Sequence, residues 1–359
     1  MRIIVLYHAR FAVAPAISHY LMALKRHSAH EVEYFNVLQP VIDLSDYDVV
    51  FINFCVVSFA RHPAPFMEPL TEALQRYRGR KVASVQDEYD FTDKVKRFLC
   101  DVGVDIVLTN VPPVGIPFVY TGPEFANVRF LTVQTAYLSE ELLTISPSLI
   151  LPLTERLLVV GYRGRKLPYR LGDLGWHKAE VGIRFKRICE EAGLQADIEV
   201  EEARRLSGDA WLEFIRSCQV MLGSPSGSNV FDFDGSLHQW VVAQYNADPT
   251  ITYADVRQHI NTHQVSYDMA QISARIYEAA VQKTALALVR GGYSGVIEPD
   301  EHYVPIEPDY SNIDQVLERL TDTPAMQAMA DRAYHHIISD PRNRYAHMIA
   351  QLDKLICSE

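Results

Sequence analysis

The feature that most constrains this chain is an alternation of short apolar runs with stretches of helical spacing, played through twice. Ile3–His8 is nearly continuously apolar, the pattern of a strand covered on both faces. Residues 15–26 place Ile17, Leu21 and Leu24 on one side of a helix, and 31–37 alternates as a strand. A further apolar run at 47–56 precedes helical spacing at 65–77. Strands are then expected at 81–85, 105–111 and 128–133, with a helix at 91–102. Strands that alternate with helices imply parallel β-α-β units and a doubly wound sheet.

The pattern restarts after a linker. Residues 142–152 hold Ser146, Pro147, Ser148 and Pro152, and the domain junction is placed there. Beyond it, strands are expected at 156–161, 196–200, 219–223, 285–290 and 303–306. Helices are expected at 178–192, 209–217, 272–282 and 313–320, while 224–271 reads as largely irregular, and 324–356 as one or two closing helices. The expected division is an N-terminal Rossmann-like domain over 1–145, a second over 153–322, and C-terminal helices over 323–359 packing back toward the first. With 359 residues the chain exceeds the ~250–300 at which one hydrophobic core usually stops growing, in keeping with two domains. The fold class is therefore α/β, two Rossmann-like doubly wound domains facing a cleft, because ligands bind at the carboxyl ends of parallel strands.

Composition narrows the partners. A net charge of −11 argues against a general affinity for nucleic acid, which needs clustered Lys and Arg. No apolar run reaches bilayer length, so work on a membrane-bound acceptor would mean peripheral association. Cys55, Cys100, Cys189, Cys218 and Cys357 show no C-x-x-C spacing. MRIIVLYH leads into a strand without the longer apolar region of a signal peptide, and a cytoplasmic location is the expectation.

Polar loops after the strands carry the candidate chemistry. Gly161–Lys166 follows the first strand of the second half; Arg163 and Arg165, with Lys178 further on, suit a diphosphate, the plainer alternative being a solvated basic turn. Ser224, Ser226 and Gly227 offer hydroxyl and backbone N–H groups to a phosphate or sugar, or form an ordinary turn. Asp232-x-Asp234 has the spacing of a D-x-D metal motif, but its late position and the lack of a third ligand favour loop hydrogen bonding, so no metal or other cofactor is expected. On the next helix Glu278, with Arg275 one turn before it, suits both hydroxyls of a ribose. Tyr293 and Ser294 lie in a third such loop, Gly291–Gly295. In the first half Gln86-Asp87-Glu88-Tyr89 follows a strand; Asp87 or Glu88 can serve as base or hold an acceptor hydroxyl, or cap the next helix, as Asp90 or Thr92 could. His8, ending the first strand, is the competing base, and His335-His336 lacks metal-ligand spacing.

Together these residues resemble glycosyltransferases of the GT-B fold, near the family-1-like or CgeB-like proteins of bacterial polysaccharide clusters. VGYRGRKLPYRLGDLG, GDAWLEFIRSCQVMLGSPSGSNVFDFDGS, ARIYEAA and YSGVIEPDEHYVPIEPDYSN carry the resemblance, and SVQDEYDF extends it into the first half. The resemblance implies a nucleotide-sugar donor in the second domain, with Arg163, Arg165 and Lys178 at the diphosphate and Glu278 at the ribose. It implies a glycan or other hydroxyl acceptor on the first-domain side, and retention of configuration rather than inversion. Retaining relatives carry an E-x7-E pair; Glu278 matches its second member, whereas Ala270 stands in the first position, so the donor-sugar contact is not carried over. Two other readings compatible with the residues are a nucleotide-sugar epimerase of the same fold and a non-catalytic nucleotide- or sugar-binding protein.

Overall fold

The computed structural model describes residues 1–12, 14–40, 43–62 and 64–358. Its first sheet holds β1 (Arg2–Tyr7), β2 (Glu31–Asn36), β3 (Val49–Ile52), β4 (Arg80–Ser84), β5 (Ile106–Thr109) and β6 (Arg129–Thr132) in the order β2-β1-β3-β4-β5-β6. The second holds β7 (Leu158–Arg163), β8 (Ala196–Glu199), β9 (Cys218–Gly223), β10 (Ala285–Val289) and β11 (Val304–Ile306) in the order β11-β10-β9-β7-β8. Every pairing is parallel. Parallel strands need crossovers that cover both faces, and β3, β5 and β10 are accordingly buried along their whole length. Strand order reverses between β1 and β3 and again between β7 and β9. Chain crossovers part there, leaving a crevice at the carboxyl edge of each sheet.

The helix Thr92–Val102 shows how the crossovers dock. Val95, Phe98, Leu99 and Val102 recur at helical spacing and are buried in the first core. The expected 47–56 strand stops at Ile52, because the Asn53 side chain accepts from Cys55 N and starts a one-turn helix, Phe54–Val57.

Three expectations are corrected. The helix expected from Lys178 begins at Gly172 and runs to Glu191. Glycines at 172 and 175 hid its first turns, and packing explains Gly172: a Cβ there would stand 2.6 Å from Val230, at a φ of +64. The stretch read as irregular contains two helices, Ser236–Ala247 and Tyr253–Asn261, built round Leu237, Val241, Tyr253, Val256 and Ile260. From its flanks Phe231 and Met269 enter the core of the first half, so this segment straps the halves together. Finally, the closing helices divide. Thr323–Ser339 stays with the second half through Met326, Met329 and Ala330, and only Tyr345–Cys357 crosses, burying Met348, Ile349, Leu352 and Ile356 against the first sheet. Asp353 fixes that crossing by accepting from Ser28 Oγ and Ala29 N.

At the amino edge of the second sheet, Arg156 is 4% exposed. Its guanidinium donates to the carbonyls of Leu151, Cys218, Gln282 and Lys283 and to Thr284 Oγ1, tying the starts of β9 and β10. Arg156→Met leaves those buried acceptors without a donor. It should cost about 2–4 kcal/mol in denaturant unfolding, while ligand binding at the opposite edge is unchanged in the folded fraction.

Candidate functional site

The carboxyl edges of the two sheets face each other across a cavity of about 260 Å³. Gln86, Asp87, Glu88, Tyr89, Asn110, Thr135 and Ala136 line it from the first half, and Ser226, Gly227, Met269, Gln271, Ser273 and Ala274 from the second. The loop after β9 reaches it by a tight path. Gly227 has a φ of +94, and a Cβ there would stand 2.3 Å from the Met269 carbonyl oxygen, which only glycine tolerates. A second chamber of about 500 Å³ adjoins it, sharing Asn110 and Gln271 as a wall, where Gln271 Nε2 donates to the Asn110 carbonyl.

Cations back the second-half wall. Lys178 Nζ donates to Ser226 Oγ at 2.8 Å. Burial, then the nearby positive charges of Arg275 and Arg165, push the Lys178 ammonium down to about 7, and no carboxylate offsets them. Arg275 lies over the rings of Tyr162 and Trp211 and donates to the carbonyls of Leu222 and Arg163, binding the ends of β9 and β7. Its buried Nε has no partner, nor has Ser224 Oγ. The helix Ala274–Val281 starts at the cavity, and its N-cap Ser273 makes no side-chain cap; Ile276 N turns back to the Ser273 carbonyl, which leaves the N–H groups of Ala274 and Arg275 for a ligand. Such a wall favours an anion.

Other sequence candidates in this half sit differently. Arg163 turns along the sheet: both its Nη groups meet the Asp197 carboxylate, at 2.9 and 2.7 Å, and its guanidinium covers Phe214. Its charge is thus neutralised within the fold, and Arg165, exposed on the same loop, is the freer cation. Glu278 accepts from Trp211 Nε1 at 2.8 Å; burial raises its pKa, against the pull of Trp211 and Arg275. Ser294 Oγ donates to Gln271 Oε1 and accepts from Ile272 N, holding the shared wall, whereas Tyr293 is buried in the core with its hydroxyl on the Val289 carbonyl. Asp232 is buried and accepts from the backbone of Gly235, Leu237 and His238, so its carboxylate starts the helix Ser236–Ala247; Asp234 accepts from Ser236 N.

On the first-half wall Glu88 is 2% exposed. Thr109 Oγ1 donates to its Oε1 at 2.5 Å and Asn110 N at 2.9 Å, while Oε2 is buried without a partner among the described residues. Burial pushes its pKa up to about 7, and those two donors only partly oppose the shift. A carboxyl poised near neutrality on a cavity wall can take or hold a proton. Asp87 is exposed and accepts from Tyr89 at 2.5 Å. It does not cap the following helix, nor do Asp90 and Thr92: the N-cap is Phe91, and Thr92 Oγ1 donates to the Glu88 carbonyl. His8 sits apart from the cavity lining, its ring among Phe11, Phe59 and Phe66, with burial and Arg10 lowering its pKa. Sequence reading missed Arg61, Asn110, Thr135 and Gln271. Each lies outside a recognisable motif, and only folding brings them to the cavity or to the loop beside it.

No family model and no curated protein matches the chain. Among solved structures it is similar to HepE of Anabaena in complex with UDP, 12% identical with 100% of both chains covered and a TM-score of 0.56. An alpha-glucosyltransferase in complex with UDP-glucose and DNA containing an abasic site is 11% identical, again over 100% of both chains, with a TM-score of 0.54. OtsA in its apo form is 9% identical over 100% of this chain and 99% of that one, with a TM-score of 0.53. The chain has the GT-B fold. Among the described residues no helix is long and apolar enough to cross a membrane.

The buried Glu88 links this site to stability. Its carboxyl titrates near 7 folded and near 4.5 unfolded, so between those values the unfolded chain holds fewer protons and stability falls as pH rises. Glu88→Gln removes that fall. Unfolding measured at pH 5 and pH 8 should show the variant gaining about 2–3 kcal/mol on the parent across the interval, and equal pH dependence would refute the assignment.

Proposed function

We propose that the protein is a glycosyltransferase that moves a sugar from a nucleoside-diphosphate donor to a hydroxyl acceptor, in glycan or polysaccharide synthesis. The observation that carries this reading is the pairing on one cavity of the buried Glu88 carboxyl with Ser226, whose hydroxyl accepts from Lys178 behind it, where Arg275 and Arg165 add further positive charge. Its context supports it: HepE holds UDP, and the alpha-glucosyltransferase holds UDP-glucose, in the same fold.

In this reading the bond between the anomeric carbon and the diphosphate oxygen breaks, and the leaving diphosphate gathers negative charge. Lys178, Arg165, Arg275 and the N–H groups at the start of the helix Ala274–Val281 stabilise that charge in place, without reorganisation. Glu278 takes the ribose hydroxyls, exchanging its Trp211 partner for them. The acceptor hydroxyl enters past the first-half wall, attacks the anomeric carbon on the face that the diphosphate leaves, which retains configuration, forms the new glycosidic bond, and passes its proton to Glu88 Oε2. Retention of configuration and membership of the CgeB-like group are part of the proposal, the latter resting on the sequence segments that carry the resemblance.

Binding is the direct test. Calorimetry with UDP, GDP and TDP should find one that binds, and Lys178→Met should weaken it about 10–100-fold, the loss of a charge-assisted hydrogen bond. Arg163→Ala should matter far less, since Asp197 already neutralises that side chain. Affinity should fall as pH rises through about 7, because Lys178 must then gain a proton on binding. Failure of the folded protein to bind any nucleoside diphosphate would sink the proposal, and an epimerised donor sugar without transfer would redirect it.

Transfer is also expected to proceed without divalent metal, since the leaving group has its cations in side chains and Asp232 is spent on a helix start. Turnover in excess chelator should match turnover in added magnesium. Abolition by chelator, reproduced in Asp234→Asn, would show that the aspartates hold an ion.

A further inference from the structure

The Glu88 loop has an unusual backbone. Asp87 and Phe91 on either side of it have φ values of +58 and +49, left-handed positions that non-glycine residues hold only when surroundings dictate it. From the first half, Arg61 supplies part of that restraint: it donates to the carbonyls of Gln86, Asp87 and Asp90 at 2.6, 2.8 and 2.7 Å. The opposite half adds a backbone bond, Asp232 N to the Tyr89 carbonyl at 2.8 Å, and one side-chain contact. Arg170 Nη1 donates to Asp90 Oδ1 at 2.5 Å, with the two side chains 14% and 17% exposed.

Arg170 belongs to the loop between β7 and the helix Gly172–Glu191, the loop that also carries Arg165. One segment therefore places a cation close enough to act on Lys178 and a second cation on the loop of the buried carboxyl. We infer that Arg170 is a positioning residue, which reaches across the cleft through Asp90 to hold the left-handed loop that keeps Glu88 buried at the cavity. This rests on the proposed role of Glu88 and extends it: the base is in place only while the donor-side loop grips it. Without Arg170, Asp90 loses its partner, Asp87 and Phe91 can relax to ordinary backbone angles, and water reaches the Glu88 carboxyl.

The test reads Glu88 itself. Carboxyl carbon resonances of protein labelled with carbon-13 glutamate give its titration, the signal being assigned by its disappearance in Glu88→Gln. In the parent protein the midpoint should lie near 7. In Arg170→Met it should drop by about one unit or more toward the ordinary carboxylate range, as hydration removes the cost of the charged form. Asp90→Asn should give the same drop, the double variant no further one, and Arg170→Lys should recover most of the parent value. None of these variants replaces Asp87, Tyr120, Tyr267 or Arg61, the other ionisable groups near Glu88. A Glu88 midpoint unmoved in both folded Arg170→Met and Asp90→Asn overturns the inference. The catalytic reading of Glu88 fails separately, if Glu88→Gln transfers sugar at the parent rate.

Discussion

A short backbone seam between the halves fixes the rest of the site. Asp232 N donates to the Tyr89 carbonyl at 2.8 Å, and Thr92 N and Asp93 N donate to the carbonyls of Asp232 and Phe233 at 3.2 and 2.9 Å. These bonds are shielded by Phe231 and Met269, which belong by sequence to the second half and by packing to the first core. Backbone groups paired in an apolar surround are costly to separate, because each would be left without a partner until water arrived. The seam thus sets two carboxyl edges opposite each other and gives the cavity its two walls.

The walls differ in the way their charges are managed. On the second-half side two arginines are neutralised by their own carboxylates, Arg163 by Asp197 and Arg257 by Asp173. What remains behind the cavity wall is Lys178, which burial first, and then the charges of Arg275 and Arg165, depress. On the first-half side a carboxyl is buried with one oxygen satisfied and the other not. Both arrangements cost stability, because each keeps a charged or polar group buried without a full set of partners.

Much of this was legible in the chain. Apolar runs with period-two or continuous character marked the strands, and the polar loops at their ends marked the cleft, because parallel topology sends every such loop to one edge. Ser226 and Glu88, which line the cavity, were picked out on that ground. The same reasoning could not separate Arg163 from Arg165. Both lie at the end of one strand, and only the neighbouring strand β8, with Asp197 in register beside Gly161, decides which is neutralised. Nor could it separate Glu88 from Asp87, whose fates depend on a left-handed turn that no residue preference announces.

By itself, then, the sequence determined the alternation of strands and helices, the two-domain division of the core, and the set of polar loops from which a site had to be drawn. These follow from local periodicity and from the covering of parallel sheets. Tertiary structure alone decided that 224–271 would form a strap, that only the last helix would cross to the first half, and that His8 would end among phenylalanines while Glu88 lined the cavity. The physical reason is one of range. Hydrophobic period and turn chemistry act over a few residues, whereas burial, charge compensation and pKa depend on groups far apart in the chain, as Arg170 and Asp90 are, brought together only when the core closes.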